Sequence, residues 1–370
     1  MKFICEKNLL VSAISVASRT VAVKSAIPAL EGIYVRAGVK VMLSGYNLET
    51  GITVGVEADI RETGEAIFPA RLFFDIVRKL PDDTVEISVD ESFKVSIRGG
   101  ISSFSILAMS AEDYPELPDV ESEKGVELPQ KQLKDMISGT IFAVSENQAR
   151  PIHTGCLFEV EEDSITVIAV DGYRLALRRW APEGGVGRQM KFVAPAAALK
   201  EVEKILTDSD ETCTFYLGTK HILFTIGEAT LVCRILEGEF LDWRRVLPEN
   251  NPIKLAANVS AITDSIERVS LVISEKLKSP VRCTFGDQTA DFRTVSTIGT
   301  AHDVCQIAGD GKDLEIGFNC RYLLDALRAV PDGECMLELS NGLSPIVLTP
   351  CDDTRRYSYM VLPVRLKAGE

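Results

Sequence analysis

The sequence repeats one pattern of elements three times, and this repeat constrains the fold more than any other feature. Corresponding points lie at Pro69, Pro195 and Asn319, which are spaced by 126 and 124 residues. A period of this length indicates a repeated domain, because solenoid repeats span only about 20–50 residues. We therefore predict three domains, with the boundaries 1–123, 124–249 and 250–370.

Each predicted domain contains two amphipathic helices and several short strands. In the helix that begins after Pro69, the residues expected on the apolar face are Leu72, Phe73, Ile76, Val77 and Leu80. The strands follow one another in β-β runs, which is typical of antiparallel sheets with helices packed on one side. The sequence thus predicts an α+β fold of three repeated domains, each with two helices and antiparallel sheet.

A hairpin over residues 165–180 is the clearest local signal in the middle domain. Asp171-Gly172 predicts a type I′ turn, in which both central residues have positive φ. After the turn, Tyr173, Leu175 and Leu177 alternate with Arg174, Ala176 and Arg178, which predicts one buried face and one charged face. The simplest interpretation is an ordinary structural hairpin.

Composition limits the compartment and the chemistry. The chain has no apolar run near the ~20 residues of a membrane span and no signal-peptide pattern at its start, so we expect a cytoplasmic protein without membrane contact. Its nine cysteines are scattered without the spacing of a metal site. They are expected to be small buried hydrophobic residues, and no metal or other cofactor is predicted.

The net charge is −14, yet basic side chains recur on the predicted outer faces of the helices. These residues are Arg71, Arg78, Lys79, Lys131, Lys134, Lys200, Lys204, Arg321 and Arg328. One interpretation is a solvated helix face, since acidic neighbours such as Glu201, Glu203 and Asp325 accompany them. The other is a basic surface for a phosphate backbone, segregated within an acidic protein.

Catalytic motifs are missing from the sequence. It has no phosphate-binding GxxxxGK[ST] loop, no HExxH and no GxSxG elbow, so an enzyme is not expected. An enzyme would have to use isolated groups such as His153 or Asp171, and the turn already accounts for Asp171. A monomeric three-domain scaffold that binds peptides but not DNA is a further alternative.

Three segments carry a resemblance to a known family. VDGYRLAL in the middle domain, EFLDWRRVLP at its end and YMVLPVRL near the C-terminus are similar to the bacterial sliding clamps, the β subunits of DNA polymerase III. The resemblance runs from Met1 to Leu366. It implies the DNA clamp fold, a head-to-tail homodimeric ring and sequence-independent binding of double-stranded DNA. The implied protein partners are the polymerase III α subunit, the clamp loader and other proteins with a clamp-binding motif.

The resemblance also implies a pocket for peptides of the QLxLF type. Its residues would be His153, Val170, Gly172, Tyr173, Arg174, Leu175, Leu241, Arg245, Val246, Met360, Leu362, Pro363, Val364 and Arg365. The aliphatic side chains would form an apolar hole, and Arg174 and Arg245 would supply donors at its edge. His153 and Leu241 depart from the aliphatic residue and the proline that are frequent there, which predicts an altered peptide preference.

Two further residue sets follow from the resemblance. The implied DNA-contact positions are Lys24, Arg71, Asn147, Pro151 and Ile152, of which only the first two carry positive charge. The implied dimer joint brings Phe104 and Ile106 of one copy to Leu271 and Val272 of the other. The alternative for all four joint residues is a place in the core of their own domains.

Overall fold

The computed structural model describes residues 1–120, 124–248, 250–273 and 279–366. The ends of the first two predicted domains, at residues 123 and 249, therefore lie outside the described residues. Six α-helices are found in the described part of the chain: α1 (Lys7–Ala17), α2 (Ala70–Lys79), α3 (Gln130–Ser138), α4 (Ala196–Ile205), α5 (Val259–Ser270) and α6 (Cys320–Arg328).

The same residues form 24 strands. In the first third these are β1 (Lys2–Glu6), β2 (Gly32–Ala37), β3 (Val41–Tyr46), β4 (Thr50–Val56), β5 (Asp59–Glu62), β6 (Gly64–Pro69), β7 (Thr84–Val89), β8 (Lys94–Gly99) and β9 (Ser102–Leu107). In the middle third they are β10 (Val126–Pro129), β11 (Gly155–Val160), β12 (Ile165–Val170), β13 (Arg174–Trp180), β14 (Met190–Pro195), β15 (Thr212–Leu217), β16 (His221–Ile226) and β17 (Ala229–Arg234). In the last third they are β18 (Ile253–Asn258), β19 (Val281–Ser296), β20 (Gly299–Phe318), β21 (Glu334–Leu339), β22 (Ile346–Thr349), β23 (Tyr357–Val361) and β24 (Pro363–Val364).

The repeat points of the sequence mark the starts of equivalent helices. Pro69 is the N-cap of α2, Pro195 directly precedes α4, and Asn319 is the N-cap of α6. Proline suits the start of a helix because the N–H groups there have no intrahelical acceptor, and proline has no N–H to leave unsatisfied. Asn319 achieves the same start differently, since its side-chain oxygen accepts a hydrogen bond from the backbone N–H of Tyr322 at 3.3 Å.

Antiparallel pairing joins strands from different predicted domains. The chain divides into two compact units, residues 1–133 with 197–235, and residues 134–196 with 236–370. In the first unit, β17 pairs with β4 in an eight-stranded sheet, and a five-stranded sheet has the order β5-β1-β7-β8-β9. In the second unit, β23 pairs with β13 within one large sheet. The predicted α+β class with antiparallel sheets is confirmed.

The hairpin of β12 and β13 forms as predicted, but two of its details were wrong. Only Gly172 has a positive φ (93°), so the turn is not type I′ over Asp171-Gly172. Its centre is Gly172-Tyr173, with positive φ at the first central residue, as in type II′ turns. The charged face is also missing at the start of β13, because Arg174 and Ala176 are buried like Leu175 and Leu177. The strand lies inside a sheet, with β12 on one side and β23 on the other.

The helices bury the expected faces, except for two leucines. Phe73 and Val77 of α2 are fully buried, whereas Leu72 is 48% exposed. Leu9 of α1 is 49% exposed, although helical spacing places it on the same face as the buried Ala13. Both lie at the margin of their apolar stripes.

Burial of the cysteines follows the sequence prediction with one exception. Eight of the nine are buried, and Cys351 is exposed. Burial raises the pKa of the Cys5 thiol to about 12, so it stays protonated and unreactive. In the part of the chain that the structure describes, no helix is long and apolar enough to cross a membrane.

Candidate functional site

An apolar cluster in the second unit gathers the predicted pocket residues. Its buried members are Leu157, Ile168, Val170, Leu175, Leu177, Val193, Phe240, Val347 and Met360. Half-buried side chains pack against them: Ile152, Leu236, Trp243, Val246, Leu247 and Leu362. Five predicted residues, Val170, Leu175, Val246, Met360 and Leu362, thus share one cluster. The paired strands β12, β13 and β23 supply its floor because their side chains on one face point the same way.

Exposed apolar side chains and main-chain hydrogen bonds form the rim of this cluster. The backbone N–H of Leu362 donates to the carbonyl oxygen of Tyr173 at 2.8 Å, which ties the hairpin turn to the segment after β23. That segment continues as β24, Pro363–Val364, which pairs with the end of β20. Tyr173, Leu241 and Val364 are 62%, 39% and 38% exposed. Exposed apolar groups around a buried apolar floor are typical of a binding site.

His153 lines the apolar cluster as an aromatic wall. Its ring meets the ring of Phe240 edge to face, with centroids 5.3 Å apart. Burial lowers the pKa of His153, and the charge of Arg150 lowers it further. The imidazole is therefore neutral at neutral pH, as a ring against an apolar surface must be.

The two arginines predicted as donors at the pocket edge differ in the structure. Arg245 is exposed and forms an ion pair with Asp242 at 3.0 Å, and Arg365 is exposed as well. Arg174 is only 7% exposed. Its Nε donates to Asp171 at 2.9 Å and its Nη1 to Asp325 at 2.6 Å. Two of the three guanidinium nitrogens of Arg174 are therefore already used within the protein, and its role as a donor at the pocket edge stays a prediction.

A buried carboxylate that the sequence patterns did not reveal anchors the segment 241–246, one wall of the cluster, which contains the predicted pocket residues Leu241, Arg245 and Val246. Glu159 of β11 accepts hydrogen bonds from Trp243 Nε1 at 3.0 Å and Arg244 Nη1 at 2.9 Å, and it pairs with Lys191 at 2.8 Å. The Arg244 guanidinium also lies 4.3 Å from the Trp243 ring centroid. The available signal was an acidic residue on the apolar strand CLFEV.

The surroundings of Glu159 act on its pKa in opposite directions. Burial raises the pKa, while the hydrogen bonds from Lys191 and Trp243 and the charge of Arg244 lower it, and the net direction is downward. The ionised form is thus stabilised in the folded protein. It is available to hold the wall through the neutral pH range.

Comparison with known proteins identifies the family. Models of the DNA polymerase III beta subunit match the chain with their N-terminal domain at residues 1–118, their central domain at 127–242 and their C-terminal domain at 244–365. The "Beta sliding clamp" of Staphylococcus epidermidis is 31% identical over 381 residues, covering 99% of both chains. The chain belongs to the DNA polymerase III beta subunit family.

Solved structures of family members agree with this assignment. A DNA polymerase III beta subunit from Eubacterium rectale matches with a TM-score of 0.93 and 33% identity, over 99% of this chain and all of the other. The DNA polymerase sliding clamp of Bacillus subtilis matches over the same shares with a TM-score of 0.93 and 28% identity.

The DNA-contact residues implied by the family resemblance lie in both units. Lys24 and Arg71 are exposed in the first unit. Asn147 and Pro151 are exposed in the second, where the Asn147 side-chain oxygen accepts the N–H of Ala149 at 2.9 Å. Ile152 is half-buried against the apolar cluster, so its side chain already serves as a wall of that cluster.

The residues that the family resemblance placed at a dimer joint lie at the surface of their own units. Phe104 and Ile106 belong to β9, the edge strand of the five-stranded sheet, and are 40% exposed and half-buried. Leu271 is 80% exposed directly after α5. The next residue, Val272, is half-buried, and its carbonyl oxygen accepts the hydroxyl of Ser296.

We expect Glu159→Gln to lower the free energy of unfolding by about 1–3 kcal/mol at pH 7, because a buried charge-assisted network loses its acceptor charge. A lowered folded-state pKa gives stability that is present above the unfolded pKa and lost as pH falls through the folded pKa. The difference between parent and variant should therefore shrink below about pH 4.5. Urea unfolding followed by Trp243 fluorescence measures this.

Glu161→Gln is the matched control for Glu159→Gln. Its carboxylate accepts from the same Arg244 at 3.3 Å but is 53% exposed, so its removal should cost little. Equal losses in both variants would contradict the anchoring role of Glu159.

Proposed function

We propose that this chain is a DNA sliding clamp: two copies close into a ring around duplex DNA and hold the replicative polymerase on it. The clamp is a processivity factor and not an enzyme. Its partners are the polymerase III α subunit, the clamp loader and other proteins with a clamp-binding peptide. Family membership over 99% of the chain supports this function, and the three-domain division at 1–123, 124–249 and 250–370 is part of the proposal, as is the cytoplasmic location.

The single observation that carries the proposal is the apolar cluster, whose rim is fixed by the hydrogen bond between Leu362 and Tyr173. A peptide leucine or phenylalanine that enters it contributes about 1.5–3 kcal/mol each by burial. Main-chain hydrogen bonds add to this, and ordering of the peptide subtracts from it. Affinity near micromolar follows, which lets partners exchange.

Ring closure is supported by the order of strands in the repeat. The triplet β7-β8-β9 recurs as β15-β16-β17 and β21-β22-β23. Its last strand pairs with the preceding domain in two cases, β17 with β4 and β23 with β13. The equivalent strand β9 has β8 as its one partner among the described strands.

In the proposed ring, the acceptor for β9 comes from a second copy. When the three domains are aligned by the sequence period, residues 299–306 of β20 in the third domain correspond to β4 in the first and to β13 in the second. Pairing of β9 with this segment of a partner repeats the same joint a third time. Such a contact is head to tail, and two copies that each supply three domains close it into a ring.

Basic side chains of the first unit are the groups best suited to bind the DNA backbone. Exposed Arg71, Lys79, Lys131 and Lys200 form no ion pair with any described residue. By contrast, Lys204 pairs with Glu201 at 2.7 Å, and Arg328 pairs with Glu267 at 2.7 Å. Free cations attract phosphates without reading sequence, as a sliding protein requires.

We expect Leu271→Asp to convert the dimer into folded monomers of 40.5 kDa, because it places a charge in an apolar joint. Small-angle X-ray scattering with an in-line mass measures both mass and ring shape. The control is Leu343→Asp, whose parent side chain is equally exposed (79%) but lies on a loop far along the sequence from the joint. A parent protein that is itself a monomer would favour the peptide-binding scaffold instead.

Lys24→Ala combined with Arg71→Ala should weaken binding to duplex DNA. The slope of the logarithm of the binding constant against the logarithm of the salt concentration should decrease in magnitude by about 2, since each lost phosphate contact removes about one unit. Fluorescence anisotropy at several salt concentrations measures the slope. Lys204→Ala, which removes a cation already paired with Glu201, should change it less. An unchanged slope in the double variant would count against these contacts.

Affinity for a QLxLF-type peptide should fall as pH falls below about 6.5, because protonation of His153 puts a charge into the apolar cluster. His153→Leu should bind the peptide with little pH dependence between pH 7.5 and 5.5. His221→Gln, in the other unit, is the control and should keep the dependence of the parent. Fluorescence anisotropy measures the peptide affinity at each pH. A parent protein whose affinity does not change with pH would contradict the role of His153.

A further inference from the structure

Helix α6 is attached to strand β13 by two arginines that sequence reasoning did not connect with it. Arg174 donates through Nη1 to Asp325 of α6 at 2.6 Å. Four residues along the strand, Arg178 donates through Nη2 to the carbonyl oxygen of Ala329, directly after the helix, at 2.8 Å. Position 174 is the first residue after the hairpin turn, so only the first of these contacts reaches the rim of the proposed pocket.

The Arg174 guanidinium is fixed on several sides at once. It lies 4.4 Å from the ring centroid of Tyr322 and 5.5 Å from that of Phe142. Asp171 accepts from Nε, and Asp325 accepts from Nη1. A guanidinium with two carboxylate partners and two aromatic faces has one favourable orientation.

This orientation is transmitted to the rim through Asp171. One oxygen of Asp171 binds the Arg174 side chain, and the other accepts the backbone N–H groups of Tyr173 and Arg174 at 2.9 and 3.1 Å. The Tyr173 carbonyl oxygen then accepts the N–H of Leu362. The Tyr173 ring also stacks on Tyr322 of α6, with centroids 6.0 Å apart.

We propose that Asp325 is a positioning residue for peptide recognition: its carboxylate orients Arg174, and through Asp171 it fixes the turn that carries Tyr173 and the Leu362 contact. It acts through Arg174 and need not touch the peptide. The inference rests on the proposed function of the pocket. It makes the recognition surface depend on a helix 151 residues away from the hairpin in sequence.

Asp325→Asn tests this role because it keeps the size of the side chain and removes its charge. Arg178 still holds α6, so we expect the helix to stay in place while the guanidinium loses its orientation. Peptide affinity should fall about tenfold, the scale of one charge-assisted hydrogen bond. Fluorescence anisotropy with a labelled QLxLF-type peptide measures it on the full chain.

Glu267→Gln is the matched control. It removes the carboxylate partner of Arg328, an ion pair of the same helix at 2.7 Å on an exposed surface, and should leave peptide affinity unchanged. Asp325→Glu keeps the charge and should recover most of the affinity. Thermal unfolding of each variant shows which effects come from stability, and an affinity loss without a change in folded fraction is the expected result for Asp325→Asn.

Testing Asp325→Asn in a second variant, Arg174→Lys, distinguishes a positioning role of Asp325 from a general structural role. In Arg174→Lys the compact ammonium cannot bind both carboxylates as a planar fork does. Asp325→Asn should then reduce affinity by less than about twofold, since its effect passes through the guanidinium. A tenfold loss in both backgrounds, or no loss in the parent background, would overturn the inference. A parent protein that binds no peptide would overturn the proposed pocket, and the inference with it.

Discussion

Edge pairing between repeated domains is the constraint on which the structure depends. A sheet that ends in an open strand exposes unpaired N–H and C=O groups, which attract another strand. The repeat resolves this by pairing the last strand of one domain with the edge strand of a sheet in the domain before it, as in β17 with β4 and β23 with β13. The sheets of neighbouring domains therefore merge, and the contacts group residues across the expected borders.

The proposed pocket is a consequence of one of these joints. At the pairing of β13 with β23, the turn before β13 and the segment after β23 are brought together, which allows the Leu362 N–H to reach Tyr173. Two carboxylates that the strand pattern does not predict, Glu159 and Asp325, then hold the surrounding walls. Sheet pairing supplies the floor, and buried ion pairs supply the shape of the rim.

The sequence predicted what is local or periodic and missed what depends on distant partners. The helix starts at Pro69 and Asn319 and the β12–β13 hairpin follow from turn residues and apolar spacing, which neighbouring residues determine. Arg174 was assigned to a charged face because alternation assumes one solvent-facing side. Its burial depends on Asp325, which no local pattern connects to it. The turn type failed for a related reason, since the Asp171 carboxylate accepts hydrogen bonds from the Arg174 side chain and from the backbone N–H groups of Tyr173 and Arg174.

The two edges of the five-stranded sheet show how the fold restricts where a partner can add. Strand β5 at one edge has four residues, and its Asp59 and Arg61 side chains pair with each other, so charge protects this edge. Strand β9 at the other edge has six residues, with Phe104 and Leu107 exposed. A protein that had to stay monomeric would gain from charges on β9 as well. The difference between the edges is what a chain needs if it adds one partner at one place, because charge on β5 opposes the addition of a strand while the open apolar edge at β9 favours it.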